Sequence, residues 1–343
     1  MRVAIICCLL LAWPAFAQNS AGPTLSQIRA KGSVECAVSS TTPGFGIIDS
    51  KGAFHGLDVD TCRAVAAAVF GDEAAANGVP RAKFVALNGA QRLPALQAGQ
   101  VDLVIQTLTQ TMTREAANGT LFAGVNFYDG QGFLVRLSSG VKRATDLAGA
   151  TICVSAGSTS ELNLADWARA NNVTYQPVVF EQVQEGRDAY NKGRCDAYST
   201  DASQLAGLRA SFPNPAEHVI LDDIISKEPH SPVVRHGDDQ WFDIVRWTIF
   251  ALLTAEELGI TQANVESLLT SPNPEIRRLL GNAGDHGPMM GLDRRWAYNA
   301  IRAVGNYGEI FERNLGRGSQ IGLERGLNGL WNRGGLMYPP PIR

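Results

Sequence analysis

The chain has 343 residues, 45% hydrophobic and 18% charged, with 30 Lys and Arg against 33 Asp and Glu and a formal net charge of −3. That length accommodates two domains, and a near-neutral balance without a basic block offers no electrostatic drive toward nucleic acid or an anionic membrane surface. No CxxC or HxxxH spacing occurs and the five histidines are scattered, which argues against a metal centre.

The amino terminus reads as an export leader. Arg2 precedes an apolar run over residues 3–12, and Ala15-Phe-Ala17 matches a small-x-small cleavage site, so residues 1–17 are expected to be removed. The run is too short to span a membrane, and no later stretch reaches the roughly 18 apolar residues a span needs. Cys7 and Cys8 would leave with the leader. The remaining Cys36, Cys62, Cys153 and Cys195 are an even number in a chain bound for an oxidising compartment; two disulfides are expected, four buried thiols being the alternative.

Short β-branched runs then alternate with helical patterns, the signature of an α/β fold on largely parallel sheets. Residues 34–38 alternate like a strand, and Asp58 is placed to cap a helix that carries Val59, Cys62, Ala66 and Val69 and stops at Gly71. A strand over 83–86, a helix over 92–98 and a strand over 101–105 complete a βαβαβ unit. A second unit begins near Gly130, with strands over 132–136 and 151–154. Its first helix follows Ser158, whose capping box Ser158-x-x-Glu161 is followed by Leu162, Ala165 and Trp167 and stopped by Asn171. A strand over 175–180, a helix over 183–191 and a strand over 195–198 follow. Beyond Gly237 helices are expected over 241–253, 261–269, 274–280 and 293–314. The breaker-rich tail 334–343 is expected to lack regular structure and to wrap a lobe.

A hydrolase, metalloprotease or nucleotide-binding motif is missing: there is no GxSxG, HExxH, P-loop lysine or GxGxxG. The informative segment is Val101-Asp-Leu-Val-Ile-Gln-Thr-Leu-Thr-Gln-Thr-Met-Thr-Arg114. A strand ending near Thr107 and Thr109 puts hydroxyls and N–H groups at the carboxyl edge of a sheet, where open α/β sheets bind ligands. Arg114 follows at a helix start, and its planar fork suits a carboxylate, although beside Glu115 it also reads as a plain surface charge.

At this point the chain resembles the polar amino-acid-binding proteins of periplasmic ABC importers, and among them the longer, general L-amino-acid-binding members. The resemblance runs over essentially the whole mature chain. It is carried by Gly56-Leu-Asp-Val-Asp60, Tyr128-Asp-Gly-Gln-Gly-Phe133, Ser160-Glu-Leu-Asn-Leu-Ala-Asp166, Gly193-Arg-Cys-Asp-Ala-Tyr-Ser-Thr-Asp201, Gly237-Asp-Asp-Gln-Trp-Phe-Asp243 and Val304-Gly-Asn-Tyr-Gly-Glu-Ile-Phe-Glu-Arg-Asn314. It implies a two-lobed α/β fold of the type II, Venus-flytrap class. Lobe one would comprise 24–129, lobe two 130–233, and 234–343 would return to lobe one with a helical extension.

By resemblance, Thr107, Thr109 and Arg114 bind the α-carboxylate of a free L-amino acid and Asp201 its ammonium group. Gly157, Ser158 and Thr159 fall at the helix start of the second lobe, where free N–H groups favour an anion; Ser158 also serves as a cap and Asp201 alone could be a turn residue. Ser39 and Thr42 stand where binders of basic or aromatic ligands place an acid and an aromatic. Arg92 matches an arginine that acidic-amino-acid binders use near the ligand side chain, or is an exposed helix residue. Phe45 reads as core. The disulfides that keep a hinge free would be Cys36 with Cys62 and Cys153 with Cys195. The implied protein is a monomer of the Gram-negative periplasm that needs no cofactor or metal, carries out no reaction, and hands its ligand to an inner-membrane ABC permease. A lyase-type enzyme on the same fold and a ligand-sensing partner of a membrane receptor are the competing readings.

Overall fold

The structure, a computed structural model, describes residues 22–71 and 81–343, so the expected leader, with Cys7 and Cys8, lies outside the described residues. Among these no helix is long and apolar enough to cross a membrane.

Helix α1 (Pro23–Lys31), started by a proline, leads into the buried strand β1 (Val34–Val38). A small antiparallel sheet of β2 (Thr41–Thr42), β3 (Gly46–Ile48) and β4 (Phe54–His55) precedes α2 (Leu57–Phe70). Then come β5 (Ala82–Ala86), α3 (Arg92–Gln97), β6 (Leu103–Val104), α4 (Met112–Ala117) and β7 (Thr120–Phe122). The chain crosses through β8 (Phe127–Asp129) into β9 (Gln131–Arg136), followed by β10 (Thr151–Ser155), α5 (Thr159–Ala170), β11 (Gln176–Phe180), α6 (Val183–Asn191), β12 (Ala197–Asp201), α7 (Ala202–Ala210) and β13 (His218–Ile220). It returns through β14 (Glu228–His230) to β15 (Val233–Arg235), α8 (Asp239–Glu257), α9 (Pro274–Leu279), α10 (His286–Met289), α11 (Trp296–Val304) and α12 (Tyr307–Asn314).

Two five-stranded sheets result, ordered β5-β1-β6-β15-β7 and β11-β10-β12-β9-β13. In each, three parallel strands adjoin antiparallel ones, β15 in the first sheet and β9 in the second. The crossing strands pair with each other: Glu228 lies opposite Asp129 and His230 opposite Phe127. The largest core cluster belongs to the first lobe and gathers α2, α8, α11 and α12, with Trp241 and Phe311 essentially inaccessible. Trp241 also donates its indole N–H to the Asp102 carbonyl at 3.0 Å, fastening α8 to the sheet.

Several local expectations give way to tertiary contacts. Helix α2 is preceded by Gly56 with φ 137°, and a Cβ there would lie 2.0 Å from the Phe45 carbonyl oxygen, so the cap position admits only glycine. Asp58 therefore caps nothing and turns inward. Residues 261–269 do not form a helix: Thr261 and Asn264 hydrogen-bond each other's N–H groups through their side chains, and a 3-10 turn over Ser267–Thr270 follows. The expected helix over 293–314 breaks at Gly305, with φ 78°, and restarts at an Asn306–Glu309 capping box. In α5 the buried face is Ser160, Leu164 and Ala168, while Leu162 is 68% exposed. Strand β12 runs to Asp201, which is thus its last residue.

The tail is irregular apart from short 3-10 turns. Asn328 bonds both the N–H and the C=O of Tyr128 in β8, at 2.7 and 2.9 Å, and Arg325 pairs with Glu256 at 3.0 Å across the Tyr307 and Phe311 rings. The extension thereby covers the first lobe and pins one crossing strand.

Disulfides Cys36–Cys62 and Cys153–Cys195 join β1 to α2 and β10 to the lead-in of β12, closing segments separated by 26 and 42 positions. Loop-closure entropy gives each about 3–4 kcal/mol. Replacing Cys36 and Cys62 by serine should lower unfolding free energy by about 3 kcal/mol in urea titrations while ligand affinity below the transition stays unchanged, since neither bond crosses between lobes.

Candidate ligand-binding site

A cavity lies where the carboxyl ends of the parallel strands of both sheets face each other, the position at which open α/β sheets bind ligands. Ser39, Thr41 and Thr42 come from the end of β1, and Leu87, Asn88, Gly89 and Arg92 from the end of β5. Gln106, Thr107 and Thr109 follow β6. From the second lobe, Ser155 to Ser160, apart from Gly157, follow β10, Glu181 to Val183 follow β11, and Thr200, Asp201 and Gln204 close β12. Only Leu87, Ala156 and Val183 bring sizeable apolar groups, so the walls are polar. The lobes touch around it: Thr109 Oγ1 and Thr159 Oγ1 are 3.3 Å apart, and a Cβ on Gly207 of α7 would meet the Pro43 carbonyl at 2.8 Å.

Ser39 and Thr42 are buried and hydrogen-bonded to each other at 2.8 Å. Thr107 has φ 41°, a conformation rare for a non-glycine residue, and its N–H donates to Asp58 Oδ2 at 3.1 Å; the buried carboxylate holds this bend. Arg92 is no surface residue: it is 7% exposed and donates from Nη1 to the Gln106 carbonyl at 2.6 Å, while its Nε has no partner. Arg114 is half-buried, donates from Nη1 to the Thr109 carbonyl at 2.8 Å, and lines an adjoining cavity with Gly157 and Gly89 rather than the first one. Neither guanidinium meets a carboxylate within ion-pair distance among the described residues.

Across the cleft, Ser158 caps α5, accepting from Glu161 N–H at 3.2 Å and donating to the Ser155 carbonyl at 2.6 Å. The Gly157 N–H is taken by Glu161 Oε2 at 3.1 Å, leaving the Ser158, Thr159 and Ser160 N–H groups as the open donors at this helix start. Asp201, 4% exposed, accepts from Gln204 and is 2.9 Å from His230 Nε2.

A family model described as bacterial extracellular solute-binding proteins, family 3, matches residues 34–263. The chain belongs to this family. It is 52% identical over 329 residues, 95% of each chain, to the general L-amino acid-binding periplasmic protein AapJ of Rhizobium johnstonii. It is 51% identical over 321 residues, 93% of each chain, to the glutamate/glutamine/aspartate/asparagine-binding protein BztA of Rhodobacter capsulatus. Among solved structures it resembles an ABC transporter periplasmic binding protein from Brucella ovis with glutathione bound, at 52% identity and a TM-score of 0.89, covering 93% of this chain and 99% of that one. The two-lobed periplasmic-binding fold is thereby established, and the family is one of binding proteins rather than enzymes.

In this solute-binding protein, burial shapes the charges of the cleft. It lowers the Arg92 pKa to about 9, helped by the nearby Arg114 and opposed by Asp201 and Asp58, and it lowers that of Arg114. Asp58 and Asp129 are each pushed up to about 7, Asp58 by burial alone against His230 and Asp129 also by the charge of Asp201. Burial works against a charged His230 ring, yet the Asp201 charge and hydrogen bond, with Asp129 and Asp58, raise its pKa overall. Asp129, Asp201 and His230 offer atoms within 4.8 Å of one another. Asp58, Gln106, Asp129, Glu181, Glu228 and His230 carry no sequence signal of a place in the cleft, Asp58 reading only as a helix cap. Only Asp58 and Asp129 stand in segments that bear the family resemblance.

The sign of the pH dependence follows. A carboxyl raised from 3.8 to about 7 in the folded state favours folding at low pH and loses that contribution as pH rises toward about 7. Asp58→Asn keeps an acceptor for Thr107 N–H without the charge. Thermal unfolding of the ligand-free variant should therefore depend less on pH than wild type between pH about 4 and about 7, with a higher melting temperature at the upper end; unchanged curves would contradict the assigned burial cost.

Proposed function

We propose that this chain is a periplasmic receptor that captures free L-amino acids over a broad range, glutamate, aspartate and their amides among them, and delivers them to an ABC permease. The observation that carries the reading is the polar cavity between the strand ends of two lobes, with an acid, Asp201, on one wall and an unpaired guanidinium, Arg92, on the other. In this reading Asp201 receives the α-ammonium. Arg114 leaves the Thr109 carbonyl to grip the α-carboxylate from the adjoining cavity, together with the open Ser158 and Thr159 N–H groups. Arg92 meets a side-chain carboxylate or carboxamide, and Ser39 and Thr42 supply neutral polar contacts. Closure around the zwitterion excludes water and strengthens both ionic contacts. The relatives named for general L-amino-acid and for glutamate, glutamine, aspartate and asparagine binding support this. The relative with bound glutathione fits the same scheme, because a γ-linked glutamyl residue presents a free α-ammonium and α-carboxylate.

The test is a calorimetric screen of the free L-amino acids and glutathione against wild type, Arg114→Ala and Asp201→Ala. Truncating one partner of a buried charge pair costs about 2–5 kcal/mol, so each variant should lose at least about 30-fold in affinity for every ligand. Full retention in both would exclude the site.

A further inference from the structure

The hinge strand β14 carries Glu228, whose side chain is 1% exposed. Its Oε2 accepts from Thr109 Oγ1 at 2.5 Å and from Thr159 Oγ1 at 2.8 Å; its Oε1 accepts from Asn163 Nδ2 and Ser226 Oγ, both at 2.6 Å. Thr109 belongs to the first lobe and Thr159 and Asn163 to α5 of the second, so one carboxylate joins both walls of the cleft. No cation pairs with it among the described residues.

The chemistry of the donors determines what this arrangement does. A carboxylate only accepts, and a hydroxyl has a single hydrogen. Both threonine hydrogens are spent on Oε2, so the 3.3 Å separation of Thr109 Oγ1 and Thr159 Oγ1 is that of two acceptors, with their remaining lone pairs free for the cavity both residues line. We propose that Glu228 is a positioning residue that sets the polarity of the cleft, turning the Thr109 and Thr159 hydroxyls into an acceptor pair for a ligand's α-ammonium. With Asp201 this makes three acceptors for three N–H bonds. It also assigns both hydroxyls to the ammonium end, whereas the family resemblance alone gives Thr109 to the carboxylate. A ligand with a hydroxyl in place of the ammonium satisfies one acceptor and leaves the others facing its oxygen, so discrimination against 2-hydroxy acids is built into the hinge.

The inference rests on the amino-acid reading above, and calorimetry with L-glutamate and L-2-hydroxyglutarate separates the two. If wild type binds neither, the amino-acid reading itself fails. Wild type is expected to prefer L-glutamate by at least about 100-fold. Glu228→Gln can face its amide oxygen to the threonines and its NH2 to a reoriented Asn163 and Ser226, and should keep that preference to within about tenfold. Glu228→Met frees both hydroxyls to donate and should shrink the preference by at least about tenfold. Thr159→Val, which leaves Glu228 in place, should weaken L-glutamate while L-2-hydroxyglutarate changes little. Wild type binding L-glutamate without preference, Met and Val variants that weaken both ligands equally, or a Gln variant that behaves like Met, would overturn the proposal.

Discussion

The two lobes can form one site because the chain crosses between them twice and the crossings are hydrogen-bonded to each other. β8 and β14 pair antiparallel, with Glu228 opposite Asp129 and His230 opposite Phe127. A two-stranded ribbon can bend, yet its register holds the carboxyl ends of the two sheets toward each other. Successive residues of a strand point to opposite sides, so Glu228 and His230, two apart, share one side. That side is the cleft: Glu228 reaches Thr109 and Thr159, and His230 reaches Asp201. The hinge therefore backs the binding wall, holding the lining residues Thr109, Thr159 and Asp201 from behind, and the tail contributes by fastening Tyr128 of the same ribbon through Asn328.

The charges gathered there would be costly in an ordinary core. Asp58, Asp201, His230 and Arg92 are all buried, and Arg92 Nε, Gln106 Oε1 and His230 Nδ1 find no partner. A cluster carrying both signs accepts a zwitterion without changing its net charge, and in the proposed reading the orphan groups of Arg92 and Gln106, which line the cavity, are left for the ligand. Asp58 and Asp129, both raised to about 7, limit the negative charge that Asp201 must share. This accounts for polarity without close shape selection. In the proposed reading the groups recognised are those common to every amino acid, and Arg92, Ser39, Thr42 and Glu181, which also line the cavity, are left to bias the side chain.

The fold was largely legible because strand and helix periods are local. The parallel strands, α5 with its Ser158 cap, and the four cysteines could be read from spacing and composition. Misreadings arose where a distant contact decided the outcome. Asp58 looks like a helix cap until Phe45 crowds Gly56, and Leu162 looks like core until the register of α5 turns Leu164 inward. Of the site, Asp201 and Arg92 line the cavity, while Arg114 rests on its neighbour. Glu228 and His230 were invisible, because a three-residue strand has no period and their roles come from being on the crossover. Apart from Ser226, their partners lie 29 to 119 positions away, beyond any motif.

In the proposed binding mode the cleft reads a free α-ammonium between acceptors from both lobes. The most direct test of that mode is the affinity of wild-type protein for L-glutamine compared with N-acetyl-L-glutamine, which keeps the carboxylate and side chain but removes the positive charge. The account predicts binding of L-glutamine and a loss of at least about 100-fold on acetylation. Comparable affinity for the two would contradict it.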